Sequence, residues 1–181
     1  MHTVRLCLRP FSEADAPDVE RLAGDRLIAD TTQNIPHPYP PGAGVEWIAK
    51  HEGIWAAGEG AAFAMVDRTT GALVGGIGLM IERAHASAEL GYWVGVPYWN
   101  AGYATEAARV VLAHGFDGGL HRIHARHLTR NPASGRVMTK IGMTFEGILR
   151  EAALKWGRFE DVAVYGMLQR EFVAGGGSAE S

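Results

Sequence analysis

The chain is short of cysteine. Cys7 stands alone among 181 residues, which excludes an intramolecular disulfide and a cysteine metal cluster. Runs of lysine or arginine are missing too, and the formal net charge is −3, which argues against a nucleic-acid or anionic-membrane surface. No apolar segment reaches membrane-spanning length, and Met1-His2-Thr3-Val4-Arg5 lacks the apolar run of a signal peptide. There is no internal repeat. What is there, 47% hydrophobic and 20% charged residues, suffices for one domain with a real core. The expectation is a cytoplasmic enzyme or binding protein.

Val4, Leu6 and Leu8 alternate with Arg5, Cys7 and Arg9, which predicts a first strand. Ser12 with Asp15 has the spacing of a capping box, opening a helix with Ala16, Val19, Leu22 and Ala23 on its apolar face. Four prolines make Thr31 to Gly44 a loop, and Val45 to Ala57 reads as a second helix. Ala61–Asp67 and Leu73–Glu82 read as a hairpin about Arg68-Thr69-Thr70-Gly71, followed by an antiparallel strand over Ala86–Val96. Tyr103 to Phe116 is a helix with Ala104, Ala108, Val111, Leu112 and Gly115 on one face. A strand over Arg122–Leu128 leads to a short helix, Asn131 to Ile141, with Asn131 as N-cap, Pro132 as first residue and Gly142 as stop. Thr144–Ala153 and Asp161–Gln169 close the chain as a hairpin around Trp156-Gly157-Arg158. The order β-α-α-β-β-β-α-β-α-β-β predicts one α/β domain over residues 1–173, followed by a flexible Gly/Ser-rich tail over 174–181.

The passage from Tyr92-Trp93-Val94-Gly95-Val96 through Pro97-Tyr98-Trp99-Asn100-Ala101 into Gly102-Tyr103-Ala104-Thr105-Glu106-Ala107 carries the most chemistry. A strand stops, the chain turns, and a helix begins. The first amides of a helix lack internal partners and its dipole adds partial positive charge there, so such a place suits an anion. Gly102 lets the backbone approach a phosphate, and Ala104 keeps the next contact small.

Three motifs in fixed order extend this reading. They are Ile35-Pro36-His37-Pro38-Tyr39-Pro40 with Trp47-Ile48; Glu89-Leu90-Gly91-Tyr92-Trp93-Val94 leading into the Gly102 turn; and Asn131-Pro132-Ala133-Ser134 with Ile141-Gly142-Met143 and Phe145-Glu146-Gly147. In these the chain resembles the GNAT acetyltransferases, and within them the branch of ribosomal-protein alanine N-acetyltransferases (RimJ/RimL type), from Leu6 to Tyr165. The resemblance implies a mostly antiparallel seven-stranded sheet flanked by helices, whose two central parallel strands splay apart with acetyl-CoA in the gap. It implies that Trp93 and Val94 supply backbone groups to the pantetheine and thioester. Asn100, Ala101, Gly102, Tyr103, Ala104 and Thr105 would wrap the pyrophosphate, with backbone amides in place of the family's arginine or glutamine, since Trp99 stands at that position. Asn131 would bond the pantetheine arm, and the Ser134 hydroxyl would donate to the leaving sulfur. Alone, both are ordinary helix-capping residues; within this motif order the cofactor role is favoured.

The family's glutamate base falls on Ala153, with Glu151 two residues away on the same strand face, so Glu89 is the first catalytic candidate beside Ser134. A structural hydrogen bond in the sheet is the equal rival for Glu89, and a water relay is a third course. The implied reaction is acetyl transfer to a primary amine, foremost the α-amine of a protein N-terminus or amino acid. Thr32, Asn34, Tyr39 and Trp156 are the expected acceptor walls. A small-molecule amine such as an antibiotic or polyamine, and a non-catalytic acyl-CoA sensor, are the alternatives, with a homodimer as a possible assembly.

Other features have plainer readings. His121, His124 and His127 mimic a ligand cluster, but strand alternation puts His124 on the opposite face, so no metal is expected. Gly75-Gly76-Ile77-Gly78 sits inside a strand, which points to close packing or a bulge and not to a dinucleotide loop. Cys7, Trp47, Trp55 and Trp93 are expected to pack, while Trp99 and Trp156, on turns, are free to line a pocket.

Overall fold

In the computed structural model, which describes residues 1–174, seven strands form one sheet in the order β1-β2-β3-β4-β5-β7-β6. The strands are β1 (Leu6–Pro10), β2 (Gly60–Asp67), β3 (Leu73–Glu82), β4 (Ser87–Val94), β5 (Arg122–Leu128), β6 (Thr144–Lys155) and β7 (Arg158–Leu168). Every neighbouring pair is antiparallel except β4 and β5. The helices are α1 (Ala16–Ala23), α2 (Arg26–Thr31), α3 (Ala43–Ala57), α4 (Tyr103–Asp117), α5 (Pro132–Lys140) and α6 (Gln169–Ala174). The expected α/β class with a mostly antiparallel seven-stranded sheet is the one found.

Two apolar layers sandwich the sheet. On one face α4 lays Ala107, Ala108, Val111, Leu112 and Phe116 on Leu79, Leu90, Ile123 and Ala125, while α5 adds Met138. The small residues let α4 lie close, and each fully buried leucine or valine there contributes about 1.5–3 kcal/mol. On the other face α1 and α3 pack Val19, Leu22, Ala23 and Ile48 over Ala64 and Leu73, with Trp93 at the margin. The capping box at Ser12 forms as the spacing predicts, opening a 3-10 turn that runs into α1.

Several boundaries differ from the sequence reading. Helix α2 is an addition, nucleated by the Asp25 carboxylate accepting the Leu27 amide at 2.8 Å. Strand β4 stops at Val94 because Val96–Tyr98 coils into a 3-10 turn around Pro97. The last hairpin is tighter than expected: β6 runs to Lys155 and β7 starts at Arg158, with Trp156 and Gly157 both left-handed in a two-residue turn. Beyond β7 the chain forms α6 from Gln169, and Ala174 ends that helix; the remainder of the expected tail lies outside the described residues. Trp55 is not buried in the core; near the C-terminal end of α3 it is 48% exposed, edge-on to Phe63. The glycines of β3 do serve close packing, since a Cβ on Gly78 would collide with the backbone of Ala61.

Candidate active site

Strands β4 and β5 are joined by only three residue pairs, Ser87↔Arg122, Ala88↔Ile123 and Glu89↔His124. Beyond Glu89 they diverge, and the gap runs up to the ends of both strands. Backbone direction alternates along a strand, so the side from which β4 opens can be worked out. Gly95 donates to Val74 at 2.9 Å, and Gly76 pairs with Trp93, so Trp93 and Gly95 face β3. Leu90 still gives its amide to β5 at the last pair, and Tyr92 and Val94 turn their amides into the gap, where no strand meets them. This corrects the expectation for Trp93: its amide belongs to the β3 ladder, and the cleft-facing groups are those of Tyr92 and Val94. The Val94 carbonyl accepts from the Trp99 indole at 2.6 Å, which fixes Trp99 at the mouth.

The mouth ends at the α4 N-terminus. Asn100 and Gly102 both have left-handed backbones, with φ of 61° and 85°, so the chain coils tightly just before the helix. The first bond into the helix is Glu106 N–H to the Gly102 carbonyl at 3.1 Å. The amides of Asn100 to Thr105 meet no protein acceptor among the described residues, and Ala104 is buried as its small size allows. Free amides with a helix dipole behind them suit an anion.

Across the gap, α5 presents its first turn. The Asn131 carboxamide caps it, its oxygen accepting Ser134 N–H at 3.3 Å, while its nitrogen donates to the Thr31 carbonyl at 3.1 Å. Ser134 Oγ lies 2.8 Å from the Tyr92 hydroxyl, which also reaches the Ser134 carbonyl at 3.0 Å. Burial pushes the Tyr92 phenol up to about 12, against the opposing bond from Ser134, so it keeps its proton near neutral pH. Tyr92 was absent from the expected site, although alternation from Leu90 places it on the helix-bearing face.

On the opposite face, at the vertex of the gap, Glu89 is not a free carboxylate. Arg126 grips it through two bonds, 3.1 Å and 2.5 Å, and His124 stands 3.8 Å away. Arg122 holds Glu146 in the same manner, at 2.6 Å and 2.5 Å. Burial holds the His124 imidazole below its ordinary range, opposed in part by Glu89. His127 lies on the other face, buried beneath α5, so the histidines do not converge. At Ala153 there is no acid. Glu151 does not share its face either, because a bulge between Leu149 and Ala153 breaks the alternation and Glu151 takes a left-handed φ of 51°.

The loop that carries the expected acceptor residues is tied to the cap of α5 and to the β6–β7 hairpin. Thr32 is half-buried and its hydroxyl bonds the Ile28 carbonyl at 2.9 Å, Asn34 is exposed, and Tyr39 packs against the α1 layer, where burial raises its phenol. Lys155, 7% exposed, reaches across from the β6–β7 hairpin to the carbonyls of Ile35 at 2.9 Å and Gln33 at 3.4 Å. Its neighbour Trp156 is 47% exposed with Arg26 stacked 5.8 Å from its ring centre. The sequence reading missed Lys155, which carries no local signal of its burial.

An interrupted parallel pair with an amide-rich turn at its open end defines a GNAT-type fold, and comparison agrees. The model of the acetyltransferase (GNAT) domain matches residues 5–144, and the chain belongs to that family of N-acetyltransferases. It is similar to the uncharacterized N-acetyltransferase p20 of Bacillus licheniformis, 31% identical over 183 residues, covering 95% of this chain and 97% of that protein. A solved structure of RimL, a ribosomal α-N-protein acetyltransferase in complex with coenzyme A, shares the fold at a TM-score of 0.84 and 18% identity, over 92% of this chain and 95% of that one. So does spermidine N-acetyltransferase of Vibrio cholerae in complex with CoA and spermine, at 0.81 and 23%, over 93% and 98%. At these identities the likeness is one of fold, and the same scaffold bears both names.

Proposed function

We propose that this enzyme transfers an acetyl group from acetyl-CoA to an α-amine, of a protein N-terminus or a free amino acid. The observation that carries the cosubstrate is the three-pair seam between β4 and β5, which leaves the amides of Tyr92 and Val94 without a strand partner beside a turn of free amides. A pantetheine arm has amides to pair with such an edge, and a pyrophosphate suits the amides of Asn100 to Thr105. Asn131 retains a second amide hydrogen for the arm.

In the reaction the neutral amine attacks the thioester carbonyl and a C–N bond forms. The amide of Tyr92 or Val94 stabilises the oxyanion, which costs no reorganisation because the strand already holds it. The C–S bond then breaks, and the departing thiolate is stabilised by a hydrogen bond from the Ser134 hydroxyl, which Tyr92 orients; the proton the amine gives up to water balances the one the thiolate takes up from water. Water carries away the amine proton. Glu89 serves the vertex as the clamp for Arg126.

The acceptor follows from proton chemistry. Both carboxylates beside the vertex are held by arginines, and Ala153 offers none. An α-amine, with a pKa of about 8, is roughly 10% neutral at pH 7, whereas a lysine side chain at about 10.4 is neutral only to roughly 0.04%. That gap is worth roughly 3 kcal/mol, which a site without a free carboxylate is poorly equipped to recover. The test is thiol release from acetyl-CoA over paired peptides. Those with a free N-terminus should turn over faster than the same peptides blocked there and carrying an internal lysine. Preference for the blocked peptide refutes the acceptor. Turnover only with polyamines or other small amines moves the substrate to that class, and tight CoA binding without any turnover makes the chain a sensor.

A further inference from the structure

The pyrophosphate turn has no cation of its own, since Trp99 stands where the family resemblance places arginine or glutamine. A cation does sit beside the turn, delivered from the far end of the chain. Just before β1, the Arg5 guanidinium donates to the Ala101 carbonyl at 2.9 Å. It also holds the Glu106 carboxylate through Nε and a second nitrogen, both at 2.7 Å. It stacks on the Tyr103 ring at 4.6 Å, and one of its nitrogens lies 3.5 Å from where a Cβ on Gly102 would stand. The Arg5 backbone amide bonds Glu106 as well, at 2.8 Å, and Asp67 holds the Tyr103 hydroxyl from the other side at 2.9 Å.

We infer that Arg5 is a positioning residue for the cosubstrate, acting through the turn that meets the phosphates. A trans peptide points its carbonyl and the following N–H in opposite directions. By fixing the Ala101 carbonyl toward itself, Arg5 turns the Gly102 N–H away and outward. Its grip on Glu106 fixes the first turn of α4, whose free amides point the same way. It also neutralises the one carboxylate in that first turn, so a dianion arriving there meets no unscreened negative charge. Five N–H donors in a planar fork let one arginine hold the carbonyl and the carboxylate together in fixed geometry, which the point charge of lysine does not impose.

The inference rests on the acetyl-CoA reading above, and its test separates the two. Arg5→Met and Arg5→Lys are compared with the wild type using two acetyl donors: acetyl-CoA, and S-acetylpantetheine, which has the thioester and arm but no phosphates. The loss in kcat/KM with acetyl-CoA should exceed the loss with S-acetylpantetheine at least tenfold for Arg5→Met, with Arg5→Lys between it and the wild type. The Kd for CoA should rise in the same order. Equal losses with both donors in folded variants, or an unchanged CoA Kd, overturn the inference and assign Arg5 to general stability. A wild type that shows no CoA response in thermal shift overturns the acetyl-CoA reading, and this inference with it.

Discussion

Ser134→Ala separates structure from chemistry at the cleft. The residue sits in the first turn of α5, but the cap of that helix is Asn131, so the mutation leaves the cap intact. What it removes is one hydroxyl, 2.8 Å from Tyr92. A hydrogen bond of this kind contributes about 0.5–1.5 kcal/mol to stability. Alanine recovers roughly 0.5 kcal/mol of that through its better helix propensity. The net loss in unfolding free energy should be under about 1 kcal/mol. The kinetic effect should be much larger. A donor aimed at charge that appears only in the transition state is worth about 2.7–4 kcal/mol, or roughly 100- to 1,000-fold in kcat. Urea melts give the first quantity, steady-state thiol release the second, and calorimetric titration with CoA shows whether ground-state affinity moves with kcat. Tyr92→Phe leaves Ser134 in place without its orienting partner and should fall between Ser134→Ala and wild type. A Ser134→Ala enzyme with full kcat refutes the reasoning, and so does one whose kcat falls only in proportion to its CoA affinity.

Lys155→Met should raise the acceptor KM severalfold, and by more than it raises the CoA Kd. It leaves the Gln33 and Ile35 carbonyls without the cation that draws the loop onto the β6–β7 hairpin, and a larger change in CoA Kd than in acceptor KM contradicts that role. The Arg9 guanidinium, at 2.7 Å to each oxygen, and the Ser12 amide hold the Asp15 carboxyl below the usual carboxylate range, partly offset by burial. A depressed folded-state pKa stabilises above the unfolded value of about 3.9, and this contribution is lost as pH falls through the folded one. The stability gap between wild type and Asp15→Asn should therefore shrink as pH drops from about 5 toward 2, and a gap independent of pH in acid unfolding rules out the linkage.

What the sequence made legible was periodic. The face of α4 from Ala104 to Gly115, the capping box at Ser12 and the glycine turn before Tyr103 are all local patterns, and each stands where its spacing puts it. The splay was available only through the family resemblance, because nothing in Leu90 to Val94 says that a strand has lost a neighbour. Side-chain pairings between distant segments were the least legible. Glu89 meets Arg126 from 37 positions away, Lys155 reaches Ile35 from 120, and Arg5 reaches Ala101 from 96. Such partners are set by how the strands are laid side by side. A bulge at Glu151 then undid an alternation argument that is sound only for an unbroken ladder.

The seam between β4 and β5 also divides the sheet mechanically. Four strands lie on one side and three on the other, and three residue pairs stitch them together. A ligand lodged above the stitch would bond both halves, and so complete the architecture as a missing strand would. At a hundredfold excess over Kd it adds about 2.7 kcal/mol to the folded state by mass action alone. Amides on both flanks of the seam should then exchange more slowly in the liganded protein, and protease resistance should climb with ligand concentration.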